Sequence, residues 1–258
     1  MNIKTEKQHL DTVIGQFSRQ AIPFTQVPGH LDSIQTLIEM SKAGPLDTVL
    51  DVASGPGLVA CEFARTVKQV TGIDITPAML EEAQKRQRQE QLMNLDWVLG
   101  TATPLPFPDN FYSLVISRYS FHHLLDPRSV MQEMIRVCQP GGRVLVADIA
   151  IATDKSVAFD HLEVMRDPSH THALTHDEFF ALFHNSPLTH CRQCMYSVDI
   201  ELEAQLKASF PKPGDEEKIR QNITHDIGVD RLDINARNVH NKVMYTVPID
   251  VFVGHKPS

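Results

Sequence analysis

The sequence predicts an α/β fold in which a mostly parallel sheet of seven strands carries helices on both faces. Short apolar runs typical of buried strands alternate with helical patterns between residues 45 and 150. The first run, residues 48 to 60, reads TVLDVASGPGLVA, and its Gly-Pro-Gly loop leads directly into a helical pattern. Parallel sheets of this kind bind ligands beyond the carboxyl ends of their strands, so we look for functional residues there.

Two helical patterns precede the first strand, at residues 10 to 20 and 30 to 42, and a break containing Pro23, Pro28 and Gly29 separates them. After the glycine loop, strands and helices alternate as a parallel sheet requires. The predicted elements are a helix at 59–67, a strand at 67–74, a helix begun by Thr76 and Pro77, strands at 95–99 and 111–117, a helix begun by Asp126 and Pro127 and stopped by 140–142, and a strand at 143–149.

Shorter elements of mixed type make up the rest of the chain. Thr175 and Glu178 have the spacing of a capping box, which marks a helix start. Cys191 and Cys194 lie on a predicted strand, where neighbouring residues face opposite sides, so we favour a structural role over redox or metal chemistry. The predicted elements are helices at 155–166 and 175–184, a strand at 190–200, polar helical stretches over 201–240 and a last strand at 243–253.

Composition restricts the class of protein. The chain has 258 residues, of which 42% are hydrophobic, and this is enough for a sizeable core. Its net charge of -8 provides no general attraction for phosphate backbones, so nucleic acid is not an expected partner. No signal-peptide pattern and no apolar run of roughly 20 residues occur. These features predict a soluble, cytoplasmic protein without stable membrane anchoring, and its 4 cysteines do not indicate a disulfide framework.

Two acidic residues stand at predicted strand ends, Asp51 in the first strand and Asp74 in the second. With Ala60, the glycine loop loosely fits a dinucleotide fingerprint, but Asp51 would repel a pyrophosphate and attract an ammonium group. S-adenosylmethionine carries such an ammonium group, and Asp74 could accept hydrogen bonds from its two ribose hydroxyls. In the alternative interpretation, Asp51 only caps the loop and Asp74 only caps the following helix.

Five segments between residues 45 and 150 resemble, in order, the motifs of class I S-adenosylmethionine-dependent methyltransferases. The segments are VLDVASGPG, VTGIDIT, GTATPLPFPDNFYSLVIS, FHHLLDP and MIRVCQPGGRVLVADI. The chain is most similar to the group typified by ubiquinone and menaquinone biosynthesis methyltransferases, of the methyltransferase domain 11 type. FSRQAIPF near the start and FDHLEVMRDPSHTHALTHDEF further on also resemble that group. The resemblance implies a Rossmann-like, doubly wound sheet with an antiparallel last strand and helical cap elements.

The resemblance also implies positions for the cofactor. Asp51 and the loop with Gly55 and Gly57 would border its methionine part, Asp74 would hold the ribose, and Ile75 would lie against the adenine. Ala53 replaces a frequent glycine in that loop, which we take as a mild change. S-adenosylhomocysteine would be the cofactor product.

Three further cofactor positions follow from the resemblance or depart from it. Thr101 and Ala102 would flank the adenine edge, and Thr101 stands where an acidic residue is usual, so it would accept a weaker hydrogen bond. Phe24 stands where relatives often have a tyrosine near the cofactor. Arg118 could bind the cofactor carboxylate or an acidic acceptor, or it could brace the loop.

Histidines provide the candidate catalytic residues. His122 and His123 follow the fourth strand, where one of them could act as a base or position the acceptor, or both could be structural. His170, together with Arg166, would line the acceptor pocket or hold a lid. The cluster of His170, His172 and His176 does not have a recognised zinc spacing, so no metal site is predicted.

The sequence therefore predicts a methyltransferase that transfers a methyl group to a carbon or oxygen of a small molecule, possibly aromatic or quinone-like. One alternative is an NAD(P)-dependent oxidoreductase, and another is a cofactor-binding partner protein without catalysis. We expect a single domain, and its oligomeric state cannot be read from the sequence. Its predicted parts are an N-terminal helical cap at 1–44, a cofactor-binding core at 45–150, lid and acceptor-pocket elements at 151–240 and a final strand at 241–258.

Overall fold

A computed structural model of the chain describes residues 5–24 and 33–258. Its centre is an eight-stranded sheet in which seven strands follow one path, in the order β3-β2-β1-β4-β5-β8-β6, and β7 pairs with β8 beside that path. The strands are β1 Thr48–Val52, β2 Gln69–Asp74, β3 Leu95–Leu99, β4 Tyr112–Arg118, β5 Cys138–Ile149, β6 Thr189–Glu201, β7 Arg237–Val239 and β8 Lys242–His255. The helices are α1 Glu6–Phe24, α2 Ile34–Ser41, α3 Leu58–Ala64, α4 Pro77–Gln89, α5 Pro127–Val137, α6 Ser156–Arg166, α7 His176–His184, α8 Leu202–Ser209 and α9 Asp215–His225.

Strand pairing confirms the predicted α/β class. The first five strands pair in parallel, whereas β8 is antiparallel to β5, β6 and β7. The order of the strands reverses beside β1, because β2 lies on one side of it and β4 on the other. A doubly wound sheet opens a ligand crevice at such a switch point.

Two hydrophobic clusters place helices on both faces of the sheet. Val49 belongs to one cluster, together with residues of α2, α3 and α6, and Leu50 belongs to the other, together with residues of α5 and α7. Successive residues of a strand point to opposite faces, so the continuous apolar run of β1 is buried on both sides. This double burial is the reason why the sequence pattern indicated a parallel strand.

Several predicted boundaries were wrong. Pro23 lies inside the last turn of α1 rather than in a break, since the helix continues to Phe24. Pro28 and Gly29 lie outside the described residues. The Pro-Gly-Gly segment does not stop α5, since that helix ends at Val137 and the segment belongs to β5. The register between β4 and β5 shifts there, so the glycines accommodate a bulge. The polar stretch 201–240 contains α8, α9 and β7, and the sequence did not predict a strand in it.

The N-terminal helix α1 forms a cap that is held by residues distant in sequence. The Nε2 of His9 donates a hydrogen bond of 2.7 Å to the carbonyl oxygen of His123. The Nε2 of Gln20 donates to Asp167 at 2.9 Å and to the carbonyl oxygen of Ser209, at the end of α8, at 3.2 Å. Helix α1 is thereby tied to the segment after β4 and to α8. Within the described ranges, no helix is long and apolar enough to cross a membrane.

Candidate active site

A cavity of about 530 Å³ opens between the carboxyl ends of the parallel strands and the cap. This volume lies within the roughly 300–1,000 Å³ of typical small-molecule sites. The strand ends contribute Gly55, Asp74, Ile75, Thr101, Ala102, Arg118, His122 and His123. The cap and the later elements contribute Val13, Phe17, Gln20, Glu163, Arg166, Gln205 and Tyr245.

Asp74 lies on the wall of this cavity at the end of β2, and its two oxygens organise the glycine loop. Oδ2 accepts a hydrogen bond from Gly55 N at 2.8 Å, and Oδ1 accepts one from Thr76 N at 2.8 Å. The Thr76 side chain makes no capping bond to α4, so the carboxylate of Asp74 serves that turn instead. Each carboxylate oxygen can accept a second hydrogen bond. Capping and binding of ribose hydroxyls are therefore compatible roles for Asp74.

Asp51 lies behind the glycine loop rather than on the cavity wall. Its side chain is 1% exposed, and no described residue donates a hydrogen bond to Oδ2. Burial, and then the charge of Asp74, raises the pKa of Asp51 to about 8. A backbone hydrogen bond from Ala60 acts on the carboxyl group, but a buried carboxylate remains costly to ionise unless a positive charge compensates it. An ammonium group in the adjacent cavity would lower this pKa and favour the ionised form of Asp51.

The two loop glycines have different surroundings. Gly55 lines the cavity with φ of 52°, and a Cβ added there would meet nothing within 4 Å. Gly57, with φ of 77°, faces away, and its added Cβ would lie 2.8 Å from Trp97 Cη2. Ala53 has φ of 57°, a left-handed conformation that costs a non-glycine residue about 1 kcal/mol or more. Replacing glycine there is therefore not the mild change that we expected.

Residues predicted for the adenine lie together on the wall, since Ile75, Thr101 and Ala102 all line the cavity. The hydroxyl of Thr101 donates its hydrogen to the carbonyl oxygen of Thr103 at 3.1 Å. Its oxygen lone pairs are then available to accept a hydrogen bond from an amino group. Phe24 ends α1, but its side chain lies outside the described part of the structure.

Arg118 ends β4 and lies beneath two tyrosines. Its Nη2 donates to the Tyr119 hydroxyl at 2.9 Å and its Nε to the Tyr196 hydroxyl at 3.2 Å. The guanidinium carbon lies 4.2 Å from the centroid of the Tyr119 ring. These contacts agree with the interpretation that Arg118 braces the loop, and Arg118 also lines the cavity.

His122 pairs with a carboxylate that the sequence analysis missed. Its Nδ1 lies 2.5 Å from Oδ1 of Asp148, which is buried near the end of β5. Burial lowers the pKa of His122, but the charge and hydrogen bond of Asp148 outweigh it, so the pKa is raised. The signal that could have found Asp148 is the one that selected Asp51, an acidic residue near the end of a buried strand.

His123 has the opposite electrostatic character. Burial and the neighbouring charge of His122 lower its pKa to about 3. Its Nδ1 lies 3.1 Å from Oγ of Ser169, and its ring packs against the edge of Phe17. The pKa values of the two adjacent histidines are therefore shifted in opposite directions, upward for His122 and downward for His123.

A buried ion pair lies at the cap side of the cavity. The Nε of Arg166 donates to Oε1 of Glu163 at 2.8 Å, and its Nη1 donates to Oγ of Ser209 at 3.1 Å. The Gln205 side chain also lines the cavity, and none of the described residues donates to its buried Oε1. Arg166 thus lies on the wall, as the sequence suggested.

His170, in contrast, does not line the cavity. Its Nε2 lies 2.7 Å from one oxygen of Asp160, while the Nδ1 of His172 lies 2.6 Å from the other. The His170 ring lies behind the histidine pair, with its centroid 5.7 Å from that of His122. His176 instead bonds to Asp250 at 2.8 Å. Among the residues that the structure describes, no group of side chains could hold a metal ion.

Comparison with known proteins identifies the class that this fold and site define. The family model described as "Methyltransferase domain" matches residues 50–146. An uncharacterized methyltransferase, YcgJ of Bacillus subtilis, is 30% identical over 196 residues, which are 75% of this chain and 76% of that protein. Its crystal structure superposes with a TM-score of 0.81 at 26% identity, covering 89% of this chain and all of the other.

Other relatives match a shorter part of the chain and have names that include a substrate class. The ubiquinone/menaquinone biosynthesis C-methyltransferase UbiE of a Ruegeria species is 36% identical over 109 residues. That match covers 41% of this chain and 44% of the relative, so it spans less than half of either. The chain belongs to the methyltransferase family and is an S-adenosylmethionine-dependent methyltransferase.

Proposed function

We propose that the chain transfers the methyl group of S-adenosylmethionine to a carbon or oxygen of a small, ring-containing acceptor. The observation that carries the proposal is that one cavity joins the loop of Gly55 and Asp74 to the histidine pair. A donor held at the loop and an acceptor held at the histidines would then face each other. Methyl transfer from a sulfonium needs such alignment, because its leaving group is already activated by positive charge.

The residues present fit the cofactor. Asp74 would accept from the ribose hydroxyls, Ile75 and Thr101 would flank the adenine with Ala102, and Arg118 would approach the carboxylate. The pKa of Asp51 is raised to about 8, and an ammonium group beside it would lower that pKa and favour the charged carboxylate behind the loop. The bound cofactor supplies the methyl group and the sulfonium charge. The chain binds and orients it, and α1 excludes water above it.

The lining also favours one kind of acceptor. Arg166, the cationic residue at the cap side, is already paired with Glu163, so this residue offers little attraction for a phosphate group. Apolar walls from Phe17, Val198 and Val247 suit a ring or a short hydrocarbon tail. The quinone named for the UbiE relatives is such a compound, and this supports an aromatic or quinone-like acceptor.

Calorimetry tests the cofactor assignment. The wild-type chain should bind S-adenosylmethionine and S-adenosylhomocysteine but not NADH. Asp74→Ala should weaken binding by about 1.5–3 kcal/mol, because hydrogen bonds to a charged acceptor are lost. Asp96→Ala, an exposed acid on β3, is the matched control and should leave binding unchanged. Binding of NADH alone, or wild-type affinity of Asp74→Ala, would contradict the proposal.

Methyl transfer itself is tested by a screen of phenolic, quinol and enolic acceptors with labelled cofactor. Transfer to at least one of them is the expected result. Tight cofactor binding without transfer to any acceptor would favour the alternative of a non-catalytic binding protein. The cytoplasmic location expected from the sequence stays a prediction.

A further inference from the structure

The proton positions on His122 follow from its carboxylate partner. Asp148 accepts three hydrogen bonds, from His122 Nδ1 and Ile149 N at Oδ1 and from Phe121 N at Oδ2. A carboxylate with this many donors is held ionised, and its pKa is lowered despite burial because of the charge and hydrogen bonds around it. An ionised carboxylate only accepts, so the hydrogen of that short contact belongs to His122 Nδ1.

The proton positions on His123 follow from counting hydrogens. The hydroxyl of Ser169 donates its single hydrogen to Oδ1 of Asp167 at 2.5 Å. That carboxylate also accepts from Ser169 N and Gln20 Nε2. Three donors are directed at its two oxygens, so Asp167 acts as the acceptor in this network and has no hydrogen to donate. Ser169 must then accept the 3.1 Å bond from His123, which places a hydrogen on His123 Nδ1.

Both histidines line the cavity. Neither Nε2 atom has a hydrogen-bond partner within 5–24 and 33–258, and neither is among the sealed polar atoms of that part of the chain. The charged groups that act on the pair are Asp148, Asp167, Glu163, Arg166 and His170. The carboxylate of Asp148, 2.5 Å from Nδ1, favours the cationic form of His122 with hydrogen on both nitrogens. The Nδ1 of His123 instead meets a serine hydroxyl, and its ring adjoins that of His122, so the neutral form with its only ring hydrogen on Nδ1 is favoured.

A ring that can donate a hydrogen bond from Nε2, His122, and a ring that can accept one there, His123, therefore lie side by side, with centroids 4.2 Å apart. We infer that the acceptor presents two neighbouring oxygens to this pair: a carbonyl or ionised oxygen to the Nε2–H of His122 and a hydroxyl to the bare Nε2 of His123. Catechol monoanions and ortho-hydroxycarbonyl compounds have this chemistry. The inference rests on the proposed function, which it narrows to a substrate class. Asp148, Asp167 and Ser169 are positioning residues, because they act only through the two rings.

Nitrogen NMR of the chain with ¹⁵N-labelled histidine tests the proton arrangement without any acceptor. At pH 7, with and without S-adenosylhomocysteine, His122 should show two protonated nitrogens. His123 should show a protonated Nδ1 and a bare Nε2. A proton on Nε2 of His123, or a neutral His122, would overturn the inference. The spectrum of the free chain decides this point even if the cofactor assignment fails.

Ser169→Ala tests whether the serine fixes the tautomer. Without Oγ, the hydrogen on His123 Nδ1 loses its acceptor, so part of the population should move it to Nε2 in the same spectrum. Ser117→Ala is the control, because Ser117 is also buried and hydrogen-bonded but contacts neither histidine. An unchanged His123 spectrum in a folded Ser169→Ala chain would contradict the role of Ser169.

Binding of simple probes tests the substrate class. In the presence of S-adenosylhomocysteine, catechol should bind about tenfold more tightly than phenol, which lacks the second oxygen. His123→Leu should reduce this ratio to near one, while S-adenosylhomocysteine binding stays intact. Equal affinities for the two probes in the wild-type chain would overturn the two-oxygen assignment. Failure to bind S-adenosylhomocysteine would instead count against the proposed function.

Discussion

Gly55→Ala and Gly57→Ala should have different effects: the second should mainly lower the stability of the fold, and the first should mainly weaken cofactor binding. An alanine Cβ at position 57 would lie 2.8 Å from Trp97 Cη2 and 3.0 Å from the Cβ of Ala83. Trp97 cannot move away freely, since its Nε1 donates to Gln87 at 2.7 Å. An alanine at position 55 would meet nothing within 4 Å, but it would occupy space on the cavity wall. Both glycines have positive φ, so the left-handed strain is common to the two variants.

The magnitude follows from adding the two costs. Left-handed backbone costs a non-glycine residue about 1–2 kcal/mol, and this is the whole stability cost expected for Gly55→Ala. Overpacking adds about 1–3 kcal/mol for Gly57→Ala, so its free energy of unfolding should fall by about 2–5 kcal/mol in total. S-adenosylhomocysteine affinity should show the reverse order, with the larger loss in Gly55→Ala.

Urea denaturation and calorimetry with S-adenosylhomocysteine, each on both variants and the wild type, measure the two effects. Equal stability losses would mean that the packing of Gly57 against Trp97 does not matter. Wild-type stability together with a tenfold loss of affinity in Gly57→Ala would show that Gly57 contacts the cofactor directly. Either result would refute the division between the two glycines.

Three further predictions concern buried charges. Arg166→Met should lower the free energy of unfolding, measured by urea denaturation, by about 3–5 kcal/mol because it leaves the charge of Glu163 uncompensated. Arg65→Met, on the surface, is the control and should lower it by at most about 1 kcal/mol. Similar losses in the two variants would argue against a tight buried ion pair. Because the pKa of His122 is raised in the folded chain, its ion pair with Asp148 stabilises the fold fully below an unfolded pKa of about 6.5, and this stabilisation is lost as the pH rises through the folded pKa. The difference in free energy of unfolding between the wild type and His122→Gln should therefore become smaller in alkali. A difference that stays constant with pH would contradict this prediction. Asp51→Asn should keep or raise stability but weaken S-adenosylmethionine binding in calorimetry; unchanged affinity would leave Asp51 only a loop-supporting role.

Local pattern was sufficient to predict most of the framework and the protein family. The continuous apolar run of β1 and the positions of Asp51 and Asp74 depend on neighbours along the chain, and the order of the motifs indicated the methyltransferase family. The strand at 95–99 was predicted at its observed bounds. Strand β7 was missed because a run of three residues, paired only with β8, carries no periodic signal.

Tertiary structure alone decided what the predicted residues contact. The sequence analysis gave Gly55 and Gly57 the same role. Gly57 differs because Trp97, 40 residues further along the chain, packs against it and leaves no room for a side chain. His122 and His123 are adjacent in sequence, but their partners are Asp148, 26 residues away, and Ser169, 46 residues away. Charge and tautomer depend on such distant partners, which no local pattern contains. The sequence indicated the methyltransferase family and its cofactor, and the folded chain alone decided which distant residues contact the two histidines.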